Sequence, residues 1–264
     1  MRSKRRSYSL TKRISLYFDF LHKAKSWQSV HSPYIFKLVQ HIKKTPFVWA
    51  KYRQIETLRS KLKRDNTLVS FKDFGANGTI RERTISTIAR NSAKNRAQCK
   101  VLAQIIEYVN PQVSVELGTS LGISYAYMAT AAPNATITSI EGAAEIAELA
   151  SKNMSELGLF ANIQVGSFDE KLPHLLNSLQ TIDFAYIDGN HQEISTLDYF
   201  NQLLASLTPE GCIVFDDIYW SEGMTNAWNK IHSDKRVSLS IDLYHIGVIF
   251  IRPGVDKQHF KLRL

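Results

Sequence analysis

A short run near the middle of the chain has the composition of a ligand-binding turn. Hydrophobic residues lead into Glu116, glycines follow at Gly118 and Gly122, and an apolar stretch with helical character comes next. This order predicts a strand, a tight glycine turn and a helix. The carboxylate of Glu116 at the strand tip could accept hydrogen bonds from a cationic or hydroxylated ligand. The glycines would let the backbone approach that ligand closely.

A second acid lies at the end of the next predicted strand. Residues 136–141 form a β-rich run that ends in Glu141, on the strand after the one that ends near Glu116. An α/β nucleotide fold places the acceptor of its ribose hydroxyls at the tip of that next strand. The pair therefore favours a nucleoside-containing ligand, and two solvated carboxylates at strand ends are the alternative.

Acids also stand at or just after the ends of the later predicted strands: Asp169, Asp188, Asp216 and Asp217. Because ligands of open α/β sheets bind beyond the carboxyl ends of the strands, we expect these acids on one rim. They suit a cationic ligand, ribose hydroxyls or a divalent metal with oxygen ligands. A polyphosphate fits poorly, since these tips carry no Lys or Arg and the sequence has no P-loop motif. The turn also departs from the Gly-x-Gly-x-x-Gly pattern of NAD-binding proteins.

Regular alternation of strands and helices from residue 112 onward predicts an α/β fold with a mainly parallel sheet covered on both faces. Two β-rich runs close to the end of the chain predict an antiparallel hairpin. The strands are expected at 113–117, 136–141, 162–166, 183–188 and 211–216, the helices at 122–132, 143–157, 169–179, 194–207 and 222–232, and the hairpin at 237–243 and 245–251.

The sequence of the N-terminal part of the chain predicts helices and is strongly basic. Residues 14–63 and 79–109 have helical patterns, with a break at Ser32 and Pro33, which suit a helix cap and a first turn. Residues 1–64 hold 17 basic and 2 acidic residues, a net charge of +15, whereas the rest of the chain carries −6. We expect this extension to dock beside the ligand site at the strand tips and to recruit an anionic substrate or surface. The alternative is that the charge only solvates helix faces.

The whole-chain composition limits the cellular setting. Two cysteines, Cys99 and Cys212, give no disulfide framework, which is typical of a reducing compartment and leads us to expect a cytoplasmic protein. No apolar run approaches the roughly 18 residues of a membrane span. No signal peptide is expected either, because no apolar core follows the basic N-terminus.

Residues 98–252 resemble a class I S-adenosylmethionine-dependent methyltransferase. Within that superfamily the chain resembles small-molecule O-methyltransferases of the catechol O-methyltransferase type and related sugar and antibiotic O-methyltransferases. It also resembles a bacterial subgroup with a helical N-terminal extension. The motifs that carry the resemblance are Glu-Leu-Gly-Thr-Ser-Leu-Gly-Ile-Ser at 116–124, Ile-Glu at 140–141, Val-Gly-Ser-Phe-Asp-Glu-Lys-Leu-Pro at 165–173, Ile-Asp-Gly-Asn-His at 187–191 and Phe-Asp-Asp at 215–217.

This resemblance implies a Rossmann-like fold with a seven-stranded, mainly parallel sheet and a C-terminal antiparallel hairpin. It divides the chain into a basic, mainly helical extension at 1–97 and a methyltransferase domain at 98–264. The implied reaction is methylation of a hydroxyl on a small molecule or sugar, with S-adenosylmethionine as the cofactor. The implied cofactor-binding residues are Glu116, Gly118, Thr119, Ser120, Gly122, Ser124, Glu141, Gly142, Phe168, Asp169 and Asp188.

The resemblance also implies roles within this set. The turn residues up to Ser124 would hold the methionine part, Glu141 the ribose, and Phe168 with Asp169 the adenine. Catechol-type enzymes bind Mg²⁺ with acids after the fourth and fifth strands, which here are Asp188, Asp216 and Asp217. Contact with cofactor or helix capping is the alternative role for these acids.

His191 follows Asp188 by three residues, where the catechol-type enzymes carry a lysine base. We expect Asp188 and His191 to be catalytic, with His191 as the general base; a local hydrogen bond at a helix start is the alternative. Tyr219, Trp220 and Trp228 are candidates to line the acceptor pocket, although aromatic residues are as often plain core.

Two other functions stay open on the sequence alone. The basic extension would suit an RNA ribose methyltransferase, and peripheral contact with a membrane surface would use the same charge. Base methylation is disfavoured, because the sequence Asp-Gly-Asn-His at 188–191 stands where amino-group methylases carry a Pro-Pro motif. A non-catalytic methyltransferase-like binding module is the second alternative.

Overall fold

The structure is a computed structural model that describes residues 7–73 and 79–264. The first six residues of the basic extension therefore lie outside the described residues. The α-helices are α1 (Leu10–Lys23), α2 (Pro33–Lys44), α3 (Trp49–Leu62), α4 (Ile85–Asn91), α5 (Arg96–Val109), α6 (Ile123–Ala131), α7 (Ala144–Glu156), α8 (Phe168–Leu179), α9 (Glu193–Ser206) and α10 (Glu222–Ser233). The strands are β1 (Lys25–Ser26), β2 (Leu68–Asp73), β3 (Thr79–Thr84), β4 (Val113–Leu117), β5 (Thr136–Glu141), β6 (Asn162–Val165), β7 (Ile182–Ile187), β8 (Leu207–Asp216), β9 (Leu239–Asp242), β10 (Ile246–Phe250) and β11 (Gln258–Arg263).

One compact unit combines residues Met1–Thr45 with Gln180–Leu264. Its strands lie in the order β1-β11-β9-β10-β8-β7. β7 and β8 are parallel, whereas β10 runs antiparallel to both β8 and β9. All five residues of β10 are buried, as expected for a central strand covered on both faces.

The other compact unit comprises Pro46–Leu179. Its strands β4, β5 and β6 are parallel, and β2 pairs with β3 in a separate antiparallel hairpin. The hydroxyl of Tyr127 on α6 donates to Glu56 on α3 at 2.7 Å, and the rings of Tyr52 and Tyr127 stack with centroids 4.7 Å apart. Helix α3 therefore packs within this unit through an aromatic and hydrogen-bonded contact.

The structure confirms the α/β fold and most of the predicted elements. The five alternating strand and helix pairs lie within a few residues of their expected positions, and β9 with β10 forms the expected antiparallel hairpin. Ser32 caps α2, accepting from the backbone N–H of Ile35, and Pro33 occupies the first turn. The predicted domain boundary between residues 97 and 98 stays a prediction.

Two expectations need correction. Residues 79–84 are a strand rather than the start of a helix, because this segment pairs antiparallel with residues 68–73 and leaves helix α4 to begin at Ile85. Apart from β2 and β3, the described residues form nine strands, whereas the expected number was seven. The additional strands are the two-residue β1 and the C-terminal β11, which pair with each other and are too short or too polar to stand out in the sequence.

No helix in the described part of the chain has the length and apolar character that a membrane span requires.

Candidate cofactor and acceptor sites

The glycine turn joins β4 to α6 with three residues in the left-handed region. The φ angles are 104° at Gly118, 49° at Ser120 and 82° at Gly122. Glycine adopts these angles without steric cost. A Cβ atom on Gly122 would also lie 2.8 Å from Cε of Met154 on α7, so this glycine serves helix packing as well as the turn.

Glu116 lies at the end of β4 and is fully buried. Its two carboxylate oxygens accept hydrogen bonds from the hydroxyls of Ser124 and Ser139, each at 2.6 Å. Since Ser139 gives its only hydroxyl proton to Glu116, it accepts from Thr119, whose Oγ1 lies 2.5 Å away. The carboxylate thus anchors both ends of the glycine turn, and a direct cofactor contact of Glu116 stays a prediction.

Glu141 holds the same turn from the end of β5. Its Oε2 accepts from the backbone N–H of Ser120 at 2.8 Å, and its Oε1 accepts from the backbone N–H of Ala143 at 3.1 Å. The side chain is only partly buried, as is the neighbouring Gly142. Because a carboxylate oxygen can accept more than one hydrogen bond, these backbone contacts are compatible with a further bond from a ligand hydroxyl.

The predicted adenine-side residues open helix α8. Phe168 is half-buried and Asp169 is exposed. The hydroxyl of Ser167 accepts from the backbone N–H of Glu170 at 3.3 Å, which caps the first turn. An aromatic face and an acid thus stand after β6 in the unit that holds the glycine turn, although their contact with adenine stays a prediction.

Three side chains of the other unit meet after the ends of β7 and β8. Asp188, His191 and Asp217 each offer a ligand atom within 4.8 Å of the other two, and all three are half-buried. Nε2 of His191 lies 3.9 Å from Oδ1 of Asp188. His191 and Asp217 have φ angles of 40° and 52°, which non-glycine residues rarely adopt. Strained backbone at converging polar side chains is common at functional sites.

Asp216, the remaining predicted metal ligand, lies outside this group. It ends β8 and is fully buried, whereas Asp217 is the first residue beyond the strand. The backbone leaves the strand at Asp217, whose φ of 52° ends the extended conformation. The structure therefore groups His191, rather than Asp216, with Asp188 and Asp217.

The three aromatic candidates for the acceptor pocket occupy different environments. The ring of Trp220 lies 5.3 Å from that of His191, next to the three-residue group. Tyr219 donates to Asp242 at 2.6 Å. Burial, followed by the charge of Asp242, raises the pKa of this phenol. Trp228 is buried and packs against Phe215, which agrees with the core alternative, and its role in the pocket stays a prediction.

Sequence reasoning missed two residues around these sites. Ser139 lies opposite Glu116 in the register of β4 and β5, which makes it the natural partner of a buried acid. The strand register was not available from the sequence, although a hydroxyl residue inside a β-rich run was a signal. Tyr8 was also missed; its backbone N–H donates to the carbonyl of Trp220 at 3.0 Å. Nothing in the local sequence pointed to that contact.

Known proteins share both the sequence pattern and the architecture. Residues 115–218 match the family model described as a methyltransferase domain. The fold resembles the methyltransferase PaMTH1 from Podospora anserina, with a TM-score of 0.58 and 12% identity over 95% of this chain and 100% of that one. It also resembles an O-methyltransferase from Bacillus cereus, with a TM-score of 0.55 and 15% identity over 80% of this chain and 95% of that one.

A third similar structure is the O-methyltransferase TomG from Streptomyces achromogenes, with a TM-score of 0.54 and 16% identity over 93% of this chain and 100% of that one. At these identities the likeness concerns the fold. The family match spans the glycine turn, Glu141, the Asp188–His191 segment and Asp217. Residues 115–218 therefore match a methyltransferase domain, and the chain has the α/β fold of these methyltransferase structures.

Proposed function

We propose that this protein transfers the methyl group of S-adenosylmethionine to a hydroxyl oxygen of a small molecule. The observation that carries the proposal is the glycine turn held by Glu116 and Glu141, within residues that match a methyltransferase domain. The B. cereus and P. anserina structures contain S-adenosylhomocysteine, and the TomG structure contains S-adenosylmethionine. Their ligands support the choice of cofactor.

Binding of the cofactor rests on two features of the turn. The left-handed φ of Gly118 lets the backbone turn closely beneath a ligand, and a carboxylate such as Glu141 can accept from ribose hydroxyls as well as from backbone N–H groups. Thr119 and Ser124 are committed to the buried network, so we assign them to holding the turn in shape. Phe168 supplies an aromatic face for adenine.

The acceptor chemistry is assigned to Asp188, His191 and Asp217. Methyl transfer needs an oxygen nucleophile aligned with the methyl group and a group that removes the hydroxyl proton. His191 can take this proton at a ring nitrogen, and Asp188 at 3.9 Å can stabilise the imidazolium that results. Trp220 beside His191 offers an apolar face for an acceptor ring.

The same three residues fit a divalent metal ion. Their ligand atoms are close enough to contract onto one ion, and the set of two carboxylates and one imidazole suits Mn²⁺ or Zn²⁺ as well as the predicted Mg²⁺. A bound ion would lower the pKa of the acceptor hydroxyl. In that arrangement His191 would be a metal ligand rather than the base, and Asp188 and Asp217 would complete the ligand set.

The test begins with binding of S-adenosylhomocysteine by calorimetry, followed by a panel of acceptors assayed by release of that product. We expect binding, and turnover with a hydroxylated small molecule such as a catechol, a flavonoid or a sugar. Turnover with RNA alone would favour the ribose methyltransferase alternative. Absence of cofactor binding would refute the proposal.

A further inference from the structure

Helix α1 is attached to its unit by one narrow face. Phe20 is its only buried residue, and Leu16 and Leu21 are half-buried. The hydroxyl of Tyr244 donates to the carbonyl of Arg13 at 2.9 Å, and the Tyr244 ring lies 5.4 Å from that of Phe20. This contact fixes the rotation of α1 and so determines which residues face outward.

The outward face carries an apolar stripe. Leu10, Ile14 and Phe18 follow one another at intervals of four residues and are 72%, 48% and 65% exposed. Residues spaced by four lie one above the other along a helix. Three large apolar side chains thus form a continuous strip, which we call the α1 stripe, and burying such a strip is energetically favourable.

The sequence on and around helix α1 is rich in positive charge. Residues 1–25 contain eight Lys and Arg residues against the single acid Asp19. Lys12 and Arg13 lie on α1 itself and are exposed. A helix with an apolar face and flanking basic residues has the composition of one that lies in a membrane interface.

We infer that α1 docks this protein onto an anionic membrane surface, with the α1 stripe inserted at the headgroup boundary. The charge favours this partner over a second copy of the chain. A symmetric dimer through α1 would bring two identical basic helices together, and like charges repel, whereas an anionic surface attracts them. Each basic residue near such a surface contributes about fivefold in affinity, and each buried apolar side chain adds to it.

Docking would place the candidate acceptor site close to the lipid. Tyr8, just before α1, bonds to Trp220, and Trp220 lies beside His191. This consequence rests on the proposed function: the acceptor would be a hydroxyl compound that partitions into membranes. The docking itself is independent of catalysis, so the two ideas can fail separately.

Vesicle sedimentation of the full-length protein tests the inference. The probes are vesicles of phosphatidylcholine alone and of phosphatidylcholine mixed with phosphatidylglycerol. We expect binding only to the anionic vesicles, weakening as salt rises above about 0.1 M. Binding of S-adenosylhomocysteine, measured on the same preparation, reports on the proposed function separately.

Three variants make the test specific. The double variant Ile14→Gln/Phe18→Gln should weaken vesicle binding about tenfold or more by removing apolar side chains. Lys12→Gln/Arg13→Gln should weaken it about 20- to 30-fold at low salt. The matched control is Phe160→Gln, which removes an 87% exposed aromatic ring from the other unit and should leave binding unchanged.

Three results would overturn the inference. The first is wild-type protein that stays in the supernatant with anionic vesicles. The second is an Ile14→Gln/Phe18→Gln variant that binds vesicles as well as wild type does. The third is a wild-type dimer in light scattering that the same double variant converts to a monomer without any vesicle binding, which would make the α1 stripe a self-association surface.

Discussion

The carboxylate of Glu141 accepts a hydrogen bond from the backbone N–H of Ser120 at 2.8 Å. The acid predicted to bind the ribose therefore also fixes the middle of the glycine turn, 21 residues earlier in the chain. Cofactor binding and the shape of the turn are coupled through this single side chain.

Replacing Glu141 with Gln should weaken S-adenosylhomocysteine binding by about 1–3 kcal/mol. The Gln amide has only one accepting oxygen, so the backbone N–H of either Ser120 or Ala143 would lose its acceptor. Calorimetry checks the affinity. Glu145→Gln on α7 is the matched control, since Glu145 is exposed and should tolerate the change. Equal affinity in wild type and Glu141→Gln would remove Glu141 from the proposed site.

The group of Asp188, His191 and Asp217 should bind a divalent ion if the metal-assisted form of the proposal holds. Mn²⁺ binding, measured by electron paramagnetic resonance, should be lost in Asp217→Asn, because an amide is a weaker ligand than a carboxylate. Asp198→Asn on α9 is the control. Wild-type protein that binds no Mn²⁺, with turnover that survives EDTA, would leave His191 acting as a base without metal.

A packing prediction concerns Gly247 in β10. A Cβ atom there would lie 2.5–2.7 Å from three ring carbons of the buried Trp228. Gly247→Ala should therefore lower the free energy of unfolding by about 1–3 kcal/mol. Urea denaturation measures the change. Gly223→Ala on α10 is the control and should have a smaller effect, because its Cβ meets no atom closer than 3.3 Å; equal losses would contradict the packing argument.

Stability should fall between about pH 6.5 and pH 4 through His259. Burial, followed by the nearby His232, lowers the pKa of His259 to about 4, while the unfolded chain keeps a value near 6.5. As the pH falls through this window the unfolded state binds the proton first, so the stabilisation present above pH 6.5 is lost progressively. Urea midpoints at several pH values measure it.

The comparison that isolates His259 is the variant His259→Gln, which should show a shallower decline over that window than wild type. His22→Gln, on an exposed position of α1, should decline as wild type does. Parallel pH profiles for wild type and His259→Gln would assign the decline to other groups.

Local pattern predicted the central elements well, because buried parallel strands read as apolar runs and glycine marks the turn at Gly118. It failed at residues 79–84, where the pairing partner at 68–73 decides between strand and helix. The sequence predicts Glu116 at the end of a strand, and the structure agrees. Only the pairing register of β4 and β5 shows that Ser139 lies beside it as a hydrogen-bond partner for the buried carboxylate. The sequence predicts Asp216 and Asp217 as a pair of metal ligands, whereas Asp216 is buried at the end of β8 and Asp217 lies beyond the strand.

The central claim is that this protein binds S-adenosylmethionine at the glycine turn, and calorimetric titration with S-adenosylhomocysteine tests it most directly. We predict binding by wild type and its loss in Gly118→Val, because Gly118 has a φ of 104° that a β-branched residue does not adopt without strain and its side chain would fill the ligand space. Circular dichroism confirms that the variant folds. Absence of binding by wild type, or undiminished binding by a folded Gly118→Val variant, would contradict the claim.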